Sequence, residues 1–257
     1  MTGAIAAKVN GLIMGLVDDV PAHTASVSPI LPDTPEGQSV LKRSIVFLLK
    51  MAAEKTFKGD EVYLTIEHGT SSTGYMCVMN NSERQPTQWE VSSLKDTMKK
   101  IAEADMPIAV VHLGYEEAVE YFQDRQQKYS ESLVETCSKF SVKCSECNGH
   151  LQLYRRALVP KTGLLKDKFD LSVAEPGMII SFPSSSGGPV GNQGSDPVLT
   201  RVYREYNSWG KMLECSSVGD VNRKILSGQG NEFIALCEAV HAERMVQVSN
   251  MIQKRVS

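Results

Sequence analysis

Apolar residues recur at helical spacing after Thr34, and this pattern predicts a long first helix. Thr34 precedes Pro35, which places a capping residue before a proline at the first helical position. The apolar positions that follow are Val40, Ile45, Phe47, Leu48, Met51 and Ala52. Their spacing predicts a helix that continues to about Phe57, with one face in the core.

The next part of the chain alternates between strand and helix patterns. Residues 61–66 alternate apolar and polar side chains and are rich in β-branched types, which predicts a strand. A turn at 70–74 and a return strand at 75–79 follow. Further predicted helices span 92–104 and 115–129, and further predicted strands span 108–113, 141–143, 151–156 and 178–182. This order predicts an α+β fold, a mostly antiparallel sheet covered by helices.

A polar segment rich in Ser and Gly, residues 184–197, separates this part from the end of the chain. Its composition predicts a flexible linker. It lacks the Gly-Lys-Ser/Thr of a phosphate loop, so it offers no lysine for a β- or γ-phosphate. Three predicted helices follow, at 198–213, 218–227 and 230–255, and we interpret 198–257 as a helical connector.

The composition is that of an ordinary globular protein, and it argues against a strongly basic nucleic-acid-binding protein and a membrane protein. The 257 residues are 42% hydrophobic and 22% charged, with a formal net charge of −3. This charge gives no overall basic footprint for nucleic acid, although a local basic patch is compatible with it. No apolar run reaches the length of a membrane span, and no secretion signal opens the chain. The six cysteines are therefore expected as reduced thiols in the cytoplasm.

A cluster of three cysteines and one histidine can be interpreted either as a zinc site or as ordinary side chains. Cys137, Cys144, Cys147 and His150 have spacings that a zinc site can use. However, the Asn-Gly pair at 148–149 is typical of a tight hairpin turn, which would make these cysteines ordinary thiols.

The segment 154–163 carries a resemblance to a known family. It reads Tyr-Arg-Arg-Ala-Leu-Val-Pro-Lys-Thr-Gly. It resembles the motif that supplies the second pair of metal ligands in the editing domain of threonyl-tRNA synthetases. Arg155 and the tail 159–163 match the motif, but Tyr154 stands in the cysteine position and Leu158 in a histidine position. The resemblance covers about residues 9–183 and implies that residues 1–33 are the remnant of a small N-terminal domain, followed by an editing-like domain at 34–183.

The first ligand pair of that family is also replaced. Arg43 and Phe47 stand where the resemblance implies two histidines one helical turn apart. None of these side chains is a zinc ligand, so the resemblance implies neither a metal nor another cofactor.

A second resemblance concerns editing-like modules that precede the phosphate-loop kinase domain of uridine-kinase-like proteins. Their patterns match Phe169-Asp170-Leu171, Pro176-Gly177, Phe182-Pro183 and the run from Arg204 to Trp209. This resemblance implies a kinase domain, covalently linked or separate, as a partner. The chain itself has no phosphate loop, so we expect no kinase activity from it.

The resemblance implies a cleft rim with a set of ligand-binding residues: Arg43, His68, Tyr75, Arg155, Lys161 and Thr162. A guanidinium in place of a metal can bind a phosphate or carboxylate through two hydrogen bonds. In the opposing interpretation, Arg43 pairs with a nearby acid and Phe47 fills the former site as part of the core. His68 has a structural alternative as a hydrogen-bonding residue, and Lys161 has one as part of a solvated surface.

We expect a non-catalytic editing-like module that binds RNA, a nucleotide or a similar anion and regulates or positions a uridine-kinase-like domain. The expected partners are tRNA or a nucleotide, together with the kinase domain, and no membrane. One alternative is a metal-independent hydrolase of mischarged tRNA, because a fold does not fix the chemistry of its site. The other is an interaction scaffold with no small ligand.

Overall fold

The order of helices and strands confirms the α+β fold, and every strand pair in the part of the chain that the structure describes is antiparallel. The structure is a computed structural model. It describes residues 3–57, 64–70, 74–79, 85–137, 140–153, 156–183 and 196–256. None of the helices within these ranges is long and apolar enough to span a membrane.

A small sheet opens the chain. Its strands are β1 (Ala6–Val9), β2 (Leu12–Met14) and β3 (Val27–Ile30), in the order β2-β1-β3. Ile5 and Ile30 are buried in the same apolar cluster as the first helix. The boundary at residue 33 stays a prediction.

Helix α1 (Pro35–Thr56) begins where the sequence predicts. The Thr34 side chain accepts a hydrogen bond of 3.0 Å from the Gly37 amide, which caps the helix start. A side chain at Gly37 would place its Cβ 1.9 Å from the Leu31 carbonyl oxygen, so only glycine allows this entry into the helix. From Val40 to Ala53 most side chains of α1 are buried, and the helix forms the centre of the larger apolar cluster.

A four-stranded sheet packs beside α1. Its order is β4-β5-β10-β9, with β4 at Leu64–Gly69, β5 at Gly74–Met79, β9 at Asp170–Ala174 and β10 at Gly177–Ser181. Residues 61–63 of the predicted first strand and 71–73 of the predicted turn lie outside the described residues. The pairing of β5 with β10 joins segments that are distant in the sequence.

Helix α2 (Gln88–Glu103) begins four residues before the predicted start at 92. The reason is a capping box at Thr87. The Thr87 hydroxyl accepts from the Glu90 amide at 3.2 Å, and the Glu90 carboxylate accepts from the Thr87 amide at 2.7 Å. Helix α2 packs against α1 and β9.

A three-stranded sheet forms the other side of the domain, with β6 at Ala109–Gly114, β7 at Ser141–Cys147 and β8 at His150–Gln152. The predicted helix 115–129 is wrong as a single helix. It divides into α3 (Tyr115–Asp124) and α4 (Lys128–Cys137), because Gln126 has a left-handed backbone with a φ of 51°.

The hairpin between β7 and β8 is confirmed. Asn148 and Gly149 form its two-residue turn with φ values of 50° and 80°, as a type I′ turn requires.

The helical tail is present as predicted, with α5 (Pro197–Met212), α6 (Val218–Leu226) and α7 (Gly230–Val256). Helix α6 lies close to α4, because a Cβ on Gly219 would be 1.9 Å from the Ser132 hydroxyl. Asn222 donates a hydrogen bond of 3.0 Å to the Thr136 hydroxyl at the same contact. Residues 184–195 of the predicted linker lie outside the described residues, and the tail boundaries stay predictions.

Candidate functional site

Helix α1 and the segment after β8 meet where the resemblance implies the former metal site. Arg43 Nε donates a hydrogen bond of 3.3 Å to the carbonyl oxygen of Ala157, which is 114 residues away in the sequence. Ser44 strengthens the same junction. Its buried hydroxyl donates to the Val40 carbonyl at 2.8 Å and accepts from the Val159 amide at 2.9 Å. The predicted neighbours of this junction, Tyr154 and Arg155, lie outside the described residues.

Apolar side chains occupy two of the positions where the resemblance implies metal ligands. Phe47 is fully buried and Leu158 is 6% exposed, and both belong to the larger apolar cluster. The Phe47 ring meets the His150 ring edge-on, with centroids 5.4 Å apart. Hydrocarbon at these positions gives a divalent metal no electron-pair donor. Across the described part of the chain, no three His, Cys, Asp or Glu side chains are gathered as a metal site would require.

A polar chain that runs from the buried His150 and Gln152 to the protein surface lies behind Phe47 and was missed at the sequence level. His150 Nδ1 bonds Glu54 of α1, and His150 Nε2 lies 2.9 Å from Gln152 Nε2. Because an amide nitrogen can only donate, His150 Nε2 accepts and Nδ1 carries the proton that it donates to Glu54. Arg125 completes the chain with a hydrogen bond of 2.9 Å to Glu54. The His150 ring is therefore occupied on both sides and holds α1 against β8.

The ionisation of Glu54 is expected to make stability depend on pH. Burial alone would raise the pKa of Glu54, but the hydrogen bonds from His150 and Arg125 and the charge of Arg125 outweigh it and hold this pKa below the usual 4.5. A lowered folded-state pKa stabilises the protein above the unfolded value, and this contribution is lost as the pH falls below about 4.5.

Unfolding free energies of wild type and Glu54→Gln, measured from pH 7 to pH 3, check this expectation. The wild type should be the more stable protein at pH 7, and the gap should close at the acidic end. A gap that stays constant across this range would contradict the assignment.

His68 and Tyr75 lie at the β4–β5 hairpin. The His68 side chain is buried, its Nδ1 bonds the Gly69 carbonyl at 2.8 Å, and its ring stacks on Tyr203 of α5 with centroids 4.2 Å apart. His68 Nε2 has no hydrogen-bond partner within the described residues. Tyr75 packs edge-on against Phe182. Helix α5 therefore covers His68.

Lys161 and Thr162 form a junction with the end of α2. The buried Thr162 hydroxyl donates to the Ile101 carbonyl and accepts from the Met106 amide, both at 2.9 Å. Lys161 Nζ pairs with Asp105 at 2.5 Å, and Asp105 also accepts from the Gly163 amide. The Thr-Gly tail of the motif thus stabilises the connection between α2 and β6.

The three cysteines of the possible zinc cluster lie in different environments. Cys144 and Cys147 are buried on β7, whereas Cys137 is exposed at the end of α4. Burial raises the pKa of Cys144 to about 11, which favours the thiol. Together with the Glu54 contact of His150, this arrangement favours the interpretation as ordinary thiols.

The predicted site residues with described side chains are therefore distributed over three places. Arg43 contacts the segment around Ala157, His68 and Tyr75 lie at the β4–β5 hairpin, and Lys161 and Thr162 lie at the end of α2. Whether they bind one ligand together stays a prediction. Sequence reasoning missed Ser44, although it directly follows Arg43, and it had no signal for Glu54 or Gln152.

Comparison with known proteins points to one enzyme name. No family model matches the chain. It is 27% identical over 170 residues to a threonine--tRNA ligase of Nitratidesulfovibrio vulgaris (strain Miyazaki F), covering 66% of this chain and 26% of the relative. Threonine--tRNA ligases of Desulfovibrio desulfuricans and Thermotoga maritima are 28% and 26% identical, covering 63% and 78% of this chain and 24% and 29% of each relative.

Each match covers only part of this chain and only part of the relative. The chain spans about a quarter of the length of the curated relatives that it matches. At this low identity, the similarity to proteins named threonine--tRNA ligase supports a threonyl-tRNA synthetase-like, editing-like domain in this chain.

Proposed function

We propose that this chain is a non-catalytic editing-like module that binds RNA, a nucleotide or a similar anionic ligand, and positions or regulates a uridine-kinase-like domain. The observation that carries the proposal is the content of the former metal site. Phe47 and Leu158 are core residues there, while Arg43 supplies a half-buried positive charge beside them. These side chains provide no ligands for metal-assisted hydrolysis, and the Arg43 guanidinium places a positive charge there instead.

The absence of metal ligands removes the usual route to hydrolysis. Water attack on an ester needs a lowered water pKa or a positioned general base. Phe47, Leu158 and Arg43 offer neither, because a hydrocarbon has no lone pair and a guanidinium stays protonated. His150, the nearest imidazole to Phe47, has both ring nitrogens engaged. This supports a binding role over a catalytic one.

The positive charge of Arg43 and the names of the relatives both favour an anionic ligand. A guanidinium that is partly shielded from water binds phosphate more strongly than one in bulk solvent. Lys42, the residue before Arg43 on α1, is a second positive charge on this helix, with its Nζ 5.8 Å from the centre of the Phe182 ring. The relatives are named as tRNA ligases, which makes tRNA the first ligand to test.

Removal of the Arg43 charge is expected to weaken tRNA or nucleotide binding about tenfold or more. One charge-assisted hydrogen bond contributes about 1.5–3 kcal/mol, and 1.4 kcal/mol is a factor of ten in affinity. Titration of tRNA and of single nucleotides against wild type, Arg43→Ala and Arg43→Lys measures the effect. The lysine variant keeps the charge and should retain part of the affinity.

Arg204→Ala is the matched control, because Arg204 is an exposed arginine of α5 that pairs with Glu175 at 3.3 Å. Its affinity should equal that of wild type. Equal affinity in wild type and Arg43→Ala, or binding in neither protein, would contradict the anion site. Hydrolysis of mischarged tRNA by the wild type would instead support the metal-independent hydrolase.

The kinase part of the proposal rests on the second resemblance. The matching run from Arg204 to Trp209 lies on α5, which contacts the four-stranded sheet near His68. Asn207 donates a hydrogen bond of 3.0 Å to Glu67 at the same contact. A tail that is docked on the editing-like domain in this way has the rigidity needed to orient a further domain.

A further inference from the structure

A turn near the start of the chain contacts the segment around Leu158. The turn spans 15–18, and the Asp18 amide donates a hydrogen bond of 3.2 Å to the Gly15 carbonyl. A Cβ on Gly15 would lie 3.7 Å from the Leu158 carbonyl oxygen, so the two backbones are close. The turn therefore reaches the same segment that Arg43 contacts through its hydrogen bond.

The Asp18 carboxylate of this turn is held by two hydrogen-bond donors. Its side chain is only 10% exposed. Lys143 Nζ of β7 donates to Asp18 Oδ1 at 3.0 Å, and the Gly15 amide donates to Asp18 Oδ2 at 2.6 Å. A cationic side chain and a backbone N–H also form the donor set that binds phosphate oxygens in proteins. The carboxylate thus lies where the local donors fit an anion.

The same residues line a small cavity with an excess of positive charge. The charged side chains in its described lining are Asp18, Lys143 and Arg156, and its neighbouring walls include Ala157 and Leu158. Arg156 is exposed and forms no ion pair within the described part of the chain. Two cations therefore share the cavity with a single carboxylate. Such an imbalance attracts a further anion or a more highly charged one.

We propose that Asp18 is an internal competitor for the anionic ligand, and that a phosphate group binds at Lys143 and Arg156 once Asp18 has released Lys143. This inference rests on the proposed anion binding and extends it beyond Arg43. The two places are neighbours, because Ala157 lines the cavity and its carbonyl accepts from Arg43 Nε. A phosphate has more acceptor oxygens than a carboxylate, so it gives both cations of the cavity a partner.

The opposing interpretation is that the Asp18–Lys143 pair only fastens the start of the chain to the sheet. A second ion pair offers the matched control for it. Lys8 of β1 pairs with Glu36 of α1 at 3.4 Å, and both side chains are at least 40% exposed. This pair also joins the first sheet to the rest of the domain, but neither residue lines the cavity. Its variants reproduce the change in net charge without altering the cavity.

Titration of ATP and of tRNA against the full chain tests the proposal. Asp18→Asn should bind about fivefold more tightly than wild type, because a partly exposed ion pair no longer has to open. Lys143→Gln removes the receiving cation and should bind about tenfold more weakly. Glu36→Gln and Lys8→Gln should each change the affinity by less than about twofold, since distant surface charges are screened. A gain for both probes assigns the cavity to any phosphate group, and a gain for tRNA alone assigns it to the RNA backbone.

A double variant separates competition from a change in overall charge. Asp18→Asn combined with Lys143→Gln should bind like Lys143→Gln alone, because the gain requires the cation that Asp18 occupies. Circular dichroism should show the same helix content in every variant. An affinity of Asp18→Asn at or below that of wild type would overturn the proposal. An equal gain in Glu36→Gln, or a gain that persists in the double variant, would overturn it as well.

The same titrations judge the Arg43 site separately. Weaker binding in Arg43→Ala without a gain in Asp18→Asn would remove the competitor and leave the proposed function standing. A gain in Asp18→Asn that Lys143→Gln abolishes, together with unchanged binding in Arg43→Ala, would support the cavity and remove Arg43 from the site. Binding of neither probe by any of these proteins would overturn both.

Discussion

Phe47→Ala is expected to lower the free energy of unfolding by about 3–5 kcal/mol, the usual cost of removing a buried phenylalanine ring. The ring is fully buried in the larger apolar cluster and contacts the edge of His150. Its removal would leave a cavity that the backbone of α1 cannot close, because Glu54 and Arg43 fix this helix to β8 and to the segment around Ala157. Chemical denaturation at neutral pH measures the change.

The result distinguishes a filled site from an open one. Phe140→Ala is the matched control, because Phe140 is 87% exposed and its removal should change the unfolding free energy by no more than about 0.5 kcal/mol. If Phe47→Ala were as mild as this control, the ring would line an open cleft. The place where the resemblance implies a metal site would then be a pocket that accepts a ligand.

Local signals in the sequence were enough to predict most elements. The Thr34-Pro35 start of α1 and the Asn-Gly turn of the β7–β8 hairpin each need only neighbouring residues, and both are found as predicted. The start of α2 could have been predicted from its capping box, Thr87 with Glu90. The break between α3 and α4 could not, because Gln126 adopts a left-handed conformation without the glycine that normally marks one.

Only the contacts between residues of the recognised motifs could be predicted for the site. The resemblance implied that Arg43 and the segment around Leu158 lie together, and the Arg43–Ala157 hydrogen bond joins them. The partners of His150 and His68 were not predictable. Glu54 is 96 residues from His150, and Tyr203 reaches His68 from a helix beyond the predicted linker. Such contacts depend on how sheets and helices pack, which spacing along the chain does not encode.

The Thr162 hydroxyl shows how a motif residue can be kept for structure. It accepts from the Met106 amide and donates to the Ile101 carbonyl, one of the carbonyls that the end of α2 leaves without a helical partner. Thr162→Val keeps the shape of the side chain but leaves both backbone groups unsatisfied in a buried place. We expect a loss of about 2–6 kcal/mol in unfolding free energy, since each of the two groups costs about 1–3 kcal/mol.

Two further variants separate this structural role from the ligand-binding role that the resemblance implies. Thr162→Ser keeps the hydroxyl and should lose only about 1 kcal/mol, the contribution of one buried methyl group. Lys161→Ala removes an exposed ion pair with Asp105 and should cost at most about 1 kcal/mol. Hydrogen exchange should show the Met106 amide losing protection in the valine variant and keeping it in the serine variant. Unchanged stability in Thr162→Val together with weaker tRNA binding would contradict the structural role, because the hydroxyl would then act on a ligand and not on the end of α2.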